Sequence, residues 1–519
     1  MPSGSDPPAG GGGATDLFVI GGGVNGCAIA RDAVGRGLTV RLAEAGDLAQ
    51  ATSSATTKLI HGGLRYLEYL DLRLVREALA ERETLLAMMP HLARPMRFVL
   101  PVDPAARYQD GTPVGRALAR LAPWLRGRRP AALLRAGLFL YDHLGGRRHL
   151  PATRRLDLTR AEEGQALRPN LRRAYEYSDV QVDDARLVVA LARDAAARGA
   201  RIETRAQVAE AREVAGLWRI ALRDGRSFTA RALVNAAGPW AAHVIGAIAR
   251  QPARGGVRMV RGSHLVVRAL YPHDKAYLLQ GPDGRIVFLT PFEGLTLIGT
   301  TDMDQEADPA TAACSDAERD YLLACANRWL RVPVTEADVV WTFSGVRGLF
   351  DDGASRASAA SRDYVLEMAP AAAPCLSVFG GKLTTHRRLA ESALAMLMPA
   401  LDHHAPDWTA GAPLPGGDFP VDGLPALMRA AAADFPWLDG GQVRRMARAY
   451  GTDLWPMLGG VADPGADFGA GLREVELDWM ARREWARTAE DALFRRSKLG
   501  LFMGAEQRAA VADWFAAMP

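Results

Sequence analysis

"DLFVIGGGVNGCAIARDAVGRGLTVRLAEAG", residues 16–46, joins two short apolar strands through a glycine-rich turn and a helical pattern. Gly21, Gly23 and Gly26 have G-x-G-x-x-G spacing, and the second strand ends at Glu44. Glycines so spaced permit a tight turn, close approach of the backbone to a pyrophosphate, and close helix–strand packing. The helix N-terminus offers N–H groups to phosphate, and the acid accepts hydrogen bonds from a ribose. The stretch therefore predicts a dinucleotide site.

Two further strand–glycine–helix junctions follow far along the chain. One lies in "ARALVNAAGPWAAHV", residues 230–244, at Gly238, and the other in "LSVFGGKLTTHRRLAESALAML", residues 376–397, at Gly380 and Gly381. An NAD domain would form one compact block of alternating strands and helices, and the chain has no second G-x-G-x-x-G with a downstream acid. We therefore predict an α/β fold in which FAD binds to a domain assembled from distant segments, with a substrate domain inserted between them.

Periodicity and composition predict four parts of the chain. They are a disordered Pro/Gly-rich tail (1–15), a discontinuous FAD-binding domain (16–80, 181–257 and 351–399), a mixed-sheet substrate domain (81–180 and 258–350), and an all-helical C-terminal domain (400–519). The last part contains an arginine-rich pattern with acids at i, i+4 spacing, which predicts a solvated surface. Its arginines are Arg482, Arg483, Arg487, Arg495 and Arg496, near Glu490 and Asp491.

Composition excludes several classes of protein. Hydrophobic residues make up 49% of the 519 residues and charged residues 24%, as in soluble globular chains. The net charge of +4 argues against nucleic-acid binding. Four cysteines without C-x-x-C spacing argue against a structural metal site and against disulfides, and they fit a reducing compartment. The N-terminal tail has no apolar core typical of a signal peptide, and no apolar run approaches the roughly 18 residues of a transmembrane helix.

Residues 111–150 are unusually basic. This segment has eight arginines and a single acid, Asp142, with Leu, Trp and Phe at helical spacing between them. Such a basic amphipathic stretch is attracted to an anionic membrane surface. The alternative is a solvated helical pair that packs its leucine face on the core.

Eight motifs occur in an order and at spacings that resemble FAD-dependent glycerol-3-phosphate dehydrogenase of the aerobic, respiratory type. They are "GGGVNGCAIARDAVGRGL", "ATSSATTKLIHGGLRYLE", "YSDVQVDDARLV", "NAAGPW", "RGSHLVV", "GTTD", "SGVR" and "SVFGGKLTTHRRLAE". The resemblance implies a fold similar to glutathione reductase or D-amino-acid oxidase, with FAD as cofactor. It implies hydride transfer from C2 of sn-glycerol 3-phosphate to flavin N5, which yields dihydroxyacetone phosphate, and electron transfer to ubiquinone or another quinone. The expected location is the inner face of the cytoplasmic membrane, bound peripherally through the basic segment.

The resemblance also implies roles for individual residues. Arg65, Tyr66, Arg347, Lys382 and Thr385 are expected to bind substrate, because guanidinium and ammonium groups recognise phosphate. The cofactor is expected to contact Gly21, Gly23, Asn25, Gly26, Glu44, Thr52, Ser53, Ser54, Lys58, Gly238, Gly381, Lys382, Leu383 and Thr384. Two departures from the family stand out. Gly348 replaces a usual proline and predicts a less rigid loop after Arg347, and His386 replaces a usual tyrosine.

Catalysis needs a base for the 2-hydroxyl proton, in addition to charges from Arg347 and Lys382. A base with a pKa near neutrality suits this step, which points to His61 or His264. We favour His264, because His61 lies in the loop that carries the phosphate-binding Arg65. The sequence does not rank the two further.

Alternative functions remain open at this point. A glycerol-3-phosphate oxidase would carry out the same dehydrogenation but pass electrons to O2 and form H2O2. An amine or amino-acid oxidase of the same fold would bind a carboxylate rather than a phosphate. A nucleotide-binding regulator would bind FAD without turnover. A homodimer is compatible with the sequence but is not indicated by it.

Overall fold

The computed structural model describes residues 13–103, 113–121, 131–251, 256–281, 283–351, 364–369 and 372–518, without the side chains of Arg65, Leu118, Ala119 and Leu121. The strands are β1 Thr15–Ile20, β2 Val40–Ala43, β3 Leu59–Ile60, β4 Ala93–Val102, β5 Arg154–Asp157, β6 Arg173–Val182, β7 Arg201–Glu203, β8 Val208–Val214, β9 Leu217–Leu222, β10 Ser227–Asn235, β11 Gly256–Val267, β12 Ala276–Gln280, β13 Ile286–Phe292, β14 Leu295–Gly299, β15 Met303–Asp304, β16 Val339–Asp351, β17 Val365–Ala369, β18 Cys375–Phe379, β19 Asp467–Gly469 and β20 Leu472–Arg473.

The helices are α1 Val24–Gly35, α2 Leu72–Met88, α3 Pro113–Leu121, α4 Ala131–Leu144, α5 Asp184–Ala197, α6 Ala241–His243, α7 Asp316–Asn327, α8 His386–Leu397, α9 Leu424–Asp434, α10 Gly440–Tyr450, α11 Leu454–Leu458, α12 Glu474–Arg483 and α13 Ala505–Ala516. Short 3-10 turns at Thr52–Ser54, Leu64–Tyr69, Gly238–Trp240 and Leu383–Thr385 lie near the site described below. The predicted tail, 1–15, falls outside the described residues up to position 12, and β1 already begins at Thr15.

The first sheet has the strand order β17-β18-β10-β1-β2-β7, and the β8–β9 hairpin pairs with β10. Its central strands β18, β10, β1, β2 and β7 run parallel. Leu17, Phe18 and Val19 of β1 are fully buried, as expected for a parallel strand covered on both faces. α1 packs against α5 and α8 on one face. The predicted dinucleotide-binding fold, built from distant segments of the chain, is confirmed.

The second sheet is mixed and has the order β15-β11-β14-β13-β12-β4-β6-β3, with β16 on β11 and β5 on β6. α7 packs against it over a core that includes Tyr277, Leu279 and Ile298. β3 differs from the prediction, which placed residues 59–60 in the FAD-binding domain. The strand instead pairs with β6 of the second sheet. The chain therefore crosses between the sheets directly before His61.

The C-terminal part contains α9–α13 around its own apolar core. The predicted helical C-terminal domain is confirmed, and the structure adds one short antiparallel pair, β19 and β20. Gly469 at the end of β19 and the two residues that follow it, Ala470 and Gly471, all have positive φ, so the chain reverses direction within three residues.

The predicted solvated arginine surface is wrong at two positions. Arg495 and Arg496 are only 7% and 1% exposed, and both donate to the carboxylate of Asp47, which follows β2. Arg482, by contrast, pairs with Asp478 on the surface. The i, i+4 rule describes only neighbours in sequence, and Asp47 is 449 residues from Arg496. The C-terminal domain is thus joined to the first sheet through buried charges.

The basic segment forms α3 and α4, and its residues 111–112 and 122–130 lie outside the described residues. Leu138 and Tyr141 of α4 are buried, whereas Leu133, Phe139 and Leu140 are 37%, 64% and 37% exposed. α4 therefore packs one face on the protein and presents apolar side chains on the other. In the part of the chain that the structure describes, no helix combines the length and apolar character needed to cross a membrane.

Candidate active site

The glycine turn after β1 forms a tightly packed cradle. Gly21 has φ +113°, and a Cβ at this position would lie 2.5 Å from the carbonyl oxygen of Ala236. A Cβ at Gly26 would lie 1.9 Å from the carbonyl oxygen of Gly21. α1 follows, and its N-cap residue is Gly23. Because glycine has no side chain, the N-cap residue does not cover the N–H groups of the first turn. The cradle suits an anion such as a pyrophosphate.

Polar side chains border this cradle. Both carboxylate oxygens of Glu44 accept backbone hydrogen bonds, from Gly22 at 2.6 Å and Gly46 at 2.8 Å. Ser53 Oγ accepts from the Val24 N–H at 3.0 Å. Glu44 and Ser53 thus lie at the cradle, while their contacts with the cofactor stay predictions, and a carboxylate retains further lone pairs for ligand hydroxyls.

Asn25 links the cradle to the third junction. Its Nδ2 donates to the carbonyl of Gly380 at 3.2 Å. Its Oδ1 is buried, and among the described residues it has no hydrogen-bond partner. A buried acceptor without a partner is costly unless a ligand satisfies it. FAD carries hydroxyl donors and a pyrophosphate, so the residues present fit this cofactor.

Residues 51–63 run from the cradle across the second sheet. Thr52 Oγ1 donates to the carbonyl of Val346 at 2.5 Å, and Thr57 Oγ1 lies 3.2 Å from Nε2 of His264. Gly345 permits this approach, because a Cβ there would lie 2.9 Å from the side chain of Ala55. Thr52 is therefore fixed to β16, and of the predicted trio Thr52, Ser53 and Ser54, Ser53 contacts the first turn of α1.

Lys58 lies in a buried ion pair. Its Nζ is 2.7 Å from Oδ1 of Asp184 and 2.9 Å from the carbonyl of Ser54. The ring of Phe343 is 5.2 Å from the same ammonium group. The structure shows Lys58 fixing the loop to the start of α5, and its predicted contact with the cofactor stays a prediction. Sequence reasoning missed Asp184, although it lies in the motif "YSDVQVDDARLV".

The loop after β3 and the turn after β18 lie together. Lys382 Nζ is 4.4 Å from the ring centre of Tyr66. The N–H of His61 donates to Thr384 Oγ1 at 3.4 Å. Leu383, Thr384 and Thr385 are buried, and a Cβ at Gly381 would lie 2.8 Å from Nδ2 of Asn25. Predicted substrate and cofactor residues from opposite ends of the chain thus meet beside the cradle. The side chain of Arg65 lies outside the described structure.

His61 has a defined ring orientation. The Gly63 N–H donates to its Nδ1 at 3.0 Å. A neutral imidazole that accepts at Nδ1 carries its proton on Nε2. In this state Nε2–H can donate a hydrogen bond to a substrate oxygen.

His264 occupies a different environment. It is 2% exposed and stacks on Phe343 with ring centres 4.8 Å apart. Its Nδ1 has no hydrogen-bond partner within the described ranges. Burial lowers the pKa of His264 to about 3, and the charges of Lys58 and Arg347 act in the same direction. The ring is therefore neutral and weakly basic, without the near-neutral pKa that the predicted base requires.

Arg347 lies in β16, opposite Val260 of β11. Its Nη2 is 2.6 Å from Oδ1 of Asp302, a residue of the "GTTD" motif to which the sequence assigned no role. The predicted loose loop at Gly348 is wrong, because Gly348 continues the strand opposite Met259 and accepts a hydrogen bond from the Gly380 N–H at 2.9 Å. The arginine is consequently fixed on a rigid element.

Gly348 also contacts the second junction. A Cβ at Gly348 would lie 3.0 Å from the carbonyl oxygen of Gly238. His386, the other departure from the family, is buried and its Nδ1 lies 2.7 Å from the carbonyl of Leu383, to which it donates. Burial lowers the pKa of His386 to about 4, so it supports the 383–385 turn as a neutral ring.

Comparison with known proteins defines the class. A family model described as FAD dependent oxidoreductase matches residues 16–387, and one described as the C-terminal domain of alpha-glycerophosphate oxidase matches residues 408–519. The chain therefore belongs to the family of FAD-dependent oxidoreductases. The predictions of an enzyme and of FAD as its cofactor are confirmed.

Within this family the chain is similar to glycerol-3-phosphate dehydrogenases. It is 48% identical to the glycerol-3-phosphate dehydrogenase of Pseudomonas aeruginosa, over 96% of this chain and 94% of that protein. It is 44% identical to the aerobic glycerol-3-phosphate dehydrogenase of Escherichia coli, over 96% and 97%. It is also 45% identical to the D-erythritol 1-phosphate dehydrogenase of Brucella abortus, over 96% and 97%. The predicted family resemblance is thereby confirmed.

A solved structure agrees with this assignment. The glycerol-3-phosphate dehydrogenase from Bacillus halodurans complexed with FAD superimposes with a TM-score of 0.73 at 25% identity, covering 97% of this chain and 90% of that chain. The FAD-bound L-alpha-glycerophosphate oxidase from Mycoplasma pneumoniae shares the fold, with a TM-score of 0.58 at 18% identity.

Proposed function

We propose that the chain oxidises sn-glycerol 3-phosphate to dihydroxyacetone phosphate. The observation that carries this proposal is the meeting of Lys382, Tyr66 and His61 beside the glycine cradle. A phosphate ester needs cationic and hydroxyl donors close to the redox cofactor, and these side chains are of that kind. The names of the relatives at 44–48% identity support the same substrate.

Each residue has a part in the proposed reaction. Lys382, Arg347 and Arg65 bind the phosphate and position C2. Bound FAD supplies the redox chemistry by accepting the hydride that leaves C2. The proton of the 2-hydroxyl must move to a base. We favour His61 for contact with that oxygen, because it is partly exposed on the loop, whereas His264 is buried and has a pKa of about 3.

To accept a proton at Nε2, His61 has to carry its own proton on Nδ1 instead, and this tautomer no longer accepts the hydrogen bond from the Gly63 N–H. The pH profile of flavin reduction in His61→Asn and His264→Asn variants tests this assignment. We expect His61→Asn to abolish the lower-pH limb and His264→Asn to retain it. If only His264→Asn loses the lower-pH limb of the profile, then His264 rather than His61 is the base.

The substrate is tested by anaerobic titration of the flavin absorbance. sn-Glycerol 3-phosphate is expected to bleach the purified protein stoichiometrically, and glycerol without phosphate serves as the control. A protein that no polyol phosphate bleaches would contradict the proposal and favour a nucleotide-binding role without turnover.

The name of one relative supports a second candidate substrate, D-erythritol 1-phosphate. D-Erythritol 1-phosphate has one more hydroxymethylene group than glycerol phosphate, and the dehydrogenase named for it is 45% identical to this chain. The same titration with both phosphates at matched concentrations decides between them. If D-erythritol 1-phosphate bleaches the flavin faster, it is the better substrate and the proposal of glycerol phosphate is wrong.

We propose a quinone at a membrane surface as the electron acceptor, with the protein bound peripherally on the cytoplasmic side. The support is the exposed face of α4, with Leu133, Phe139 and Leu140. Tyr69, the last residue of the turn that contacts α4, and Leu70 directly after it are 40% and 64% exposed. Apolar side chains beside arginines suit an interface with anionic lipid.

Two experiments test the acceptor and the surface. A bleached sample should reoxidise fast with a soluble quinone and slowly in air, while fast reoxidation in air with H2O2 formation would favour an oxidase. Flotation with anionic vesicles should be lost in Phe139→Asp/Leu140→Asp. Val332→Asp is the matched control, since Val332 is 75% exposed in the loop between α7 and β16. Equal flotation of both variants would exclude α4 as the contact.

A further inference from the structure

The loop that carries His61 is supported from behind by a buried hydrogen-bond network. The N–H of Gly62 donates to the hydroxyl of Tyr141 at 2.8 Å, and this hydroxyl donates to the carboxylate of Asp179 at 2.8 Å. Arg82 donates to the same carboxylate at 2.7 Å and to the carbonyl of Ser178 at 2.9 Å. Tyr141, Asp179 and Arg82 are 2%, 2% and 4% exposed, so water does not compete for these bonds.

The direction of each bond follows from the charges. Asp179 is paired with Arg82 and accepts a hydrogen bond from the hydroxyl of Tyr141. Burial, together with the negative charge of Asp179, raises the pKa of Tyr141 well above its usual value, so the hydroxyl stays protonated. Its lone pairs therefore face the Gly62 N–H. A phenol that must donate to a carboxylate can serve a backbone N–H only as an acceptor.

The network ends on one particular peptide group. Tyr141 binds the N–H of the peptide that joins His61 to Gly62, and Thr384 Oγ1 lies 3.5 Å from the carbonyl of the same peptide. The next N–H, of Gly63, holds Nδ1 of the His61 ring. The peptide plane is thus fixed from both sides, and the ring orientation depends on it. There is no room for adjustment, because a Cβ at Gly62 would lie 2.4 Å from Leu79 and 2.8 Å from the Tyr141 hydroxyl.

We propose that Tyr141 is a positioning residue, which fixes the His61–Gly62 peptide and thereby orients the His61 ring toward the substrate. The inference rests on the proposed function, in which His61 contacts the reacting oxygen. It assigns a role in the reaction to α4, a helix of the basic segment for which the sequence predicted either a membrane surface or packing on the core. Through Tyr141, the inner face of this helix supports the loop, while its outer face carries Phe139 and Leu140.

Tyr141→Phe removes the hydroxyl and keeps the ring, and Tyr175→Phe is its matched control. The Tyr175 hydroxyl donates to the carbonyl of Ala131 at 2.9 Å, so the control also loses one hydrogen bond to the backbone of the same helix, but none to the loop. Both variants of the FAD-bound full chain are compared for thermal midpoint and flavin content. Their flavin reduction by sn-glycerol 3-phosphate is then followed in anaerobic stopped flow.

We expect Tyr141→Phe to lower the limiting rate of flavin reduction at least tenfold, with less than a threefold change in the substrate concentration at half-saturation. Tyr175→Phe should reduce at the wild-type rate. Asp179→Asn should also lower the limiting rate of flavin reduction. The double variant Tyr141→Phe/Asp179→Asn should be no slower than Tyr141→Phe alone, since both changes interrupt one network. A wild-type reduction rate in Tyr141→Phe would overturn the inference, as would a rate loss that only follows lost flavin.

Hydrogen–deuterium exchange gives a readout that needs no substrate. The Gly62 amide should exchange at least tenfold faster in Tyr141→Phe than in Tyr175→Phe or the wild type. Unchanged exchange at Gly62 would refute the support by Tyr141 even if glycerol phosphate bleaches the flavin. Conversely, if no polyol phosphate bleaches the wild type, the proposed function fails, and the positioning of His61 for that reaction fails with it. Faster Gly62 exchange would then still identify Tyr141 as the support of the loop.

Discussion

At the scale of single residues, charge and burial act on the two candidate histidines in different ways. Burial of His264 lowers its pKa, and the charges of Lys58 and Arg347 lower it further. His61 accepts a backbone hydrogen bond and remains partly accessible. Two histidines that look equivalent in the sequence therefore differ in the structure by what surrounds them.

Buried neutral histidines make the protein sensitive to acid. Burial lowers the pKa values of His91, His264 and His386 to about 3, 3 and 4. In the unfolded chain they protonate near pH 6.5, so the unfolded state binds more protons as the pH falls below this value. The free energy of unfolding should therefore decrease as pH falls from about 6.5 toward 4, by up to ~1.4 kcal/mol per pH unit for each histidine.

Denaturant unfolding between pH 7.5 and 5 measures this slope. The slope measures how many more protons the unfolded state binds than the folded state. His91→Gln should lower this number by about one. The exposed His149→Gln is the control and should leave it unchanged. A slope that is the same in His91→Gln and the wild type would contradict the assignment.

Arg347 is expected to contribute to substrate affinity rather than to folding. Arg347→Ala should weaken binding of dihydroxyacetone phosphate about ten- to hundredfold, because a charge-assisted hydrogen bond of about 1.5–3 kcal/mol is lost. Arg258→Ala is the control, since Arg258 pairs with Asp304 two residues beyond Asp302 and lies on the adjacent strand. Flavin fluorescence titration compares the two, and equal affinities would exclude Arg347 from the phosphate site.

The sequence predicted residue types at the site better than it predicted their partners. The glycine spacing and Glu44 follow from local geometry and are where the motif requires them, whereas the position of Ser53 was implied only by the family resemblance. The roles of Lys58 and of Arg495 and Arg496 depend on Asp184 and Asp47, which are distant in sequence. A periodicity rule cannot detect such partners, because ion pairs of this kind are set by the tertiary fold.

At the scale of elements, β16 connects the parts of the site. It carries Arg347, pairs along its length with β11, and contacts the loop at Ala55 through Gly345. Its Gly348 lies against the Gly238 turn and binds Gly380. One strand thereby fixes the second and third glycine junctions against each other. The sequence identified each junction but gave no indication that this strand joins them.

Gly348→Ala should separate β16 from the Gly238 turn. Its Cβ would lie 3.0 Å from both the Gly238 oxygen and Pro239 Cα, which are backbone atoms that cannot rotate away. We expect a loss of about 1–3 kcal/mol of stability, as for overpacked sites, and a lower FAD content after purification.

Gly256→Ala is the control on the strand that pairs with β16. A Cβ there would meet the Asp351 side chain at 3.4 Å, which is an ordinary contact. Flavin absorbance per protein and thermal midpoints are compared. A Gly348→Ala protein that retains full FAD would contradict this prediction, because it would show that the Gly238 turn can move without loss of cofactor binding.

At the scale of the whole molecule, buried ion pairs join the C-terminal domain to the rest. Asp47 accepts from both Arg495 and Arg496, Glu484 pairs with Arg186 of α5 at 2.6 Å, and Lys498 pairs with Asp183. Asp47 follows the strand that ends at Glu44 of the cradle. The C-terminal domain therefore supports the cofactor site directly.

Asp47→Asn should destabilise the whole protein. It leaves the buried guanidinium of Arg496 without its carboxylate and removes one of the carboxylates that Arg495 binds, and breaking a buried pair in this way typically costs about 3–5 kcal/mol. Asp478→Asn removes the exposed partner of Arg482 in the same domain and should change stability by less than about 1 kcal/mol. Thermal unfolding followed by flavin fluorescence distinguishes them, and similar midpoints would contradict the role of Asp47.

The Asp47–Arg496 contact also bears on how the protein is made. Asp47 leaves the ribosome early, while Arg496 is among the last 24 residues of the chain. At typical synthesis rates of 5–20 residues per second, the 449 residues between them take roughly 20–90 s. The glycine cradle therefore exists as a nascent segment long before its charge partner is translated. Any contribution of this contact to the stability of the cradle therefore begins only once Arg496 has been translated.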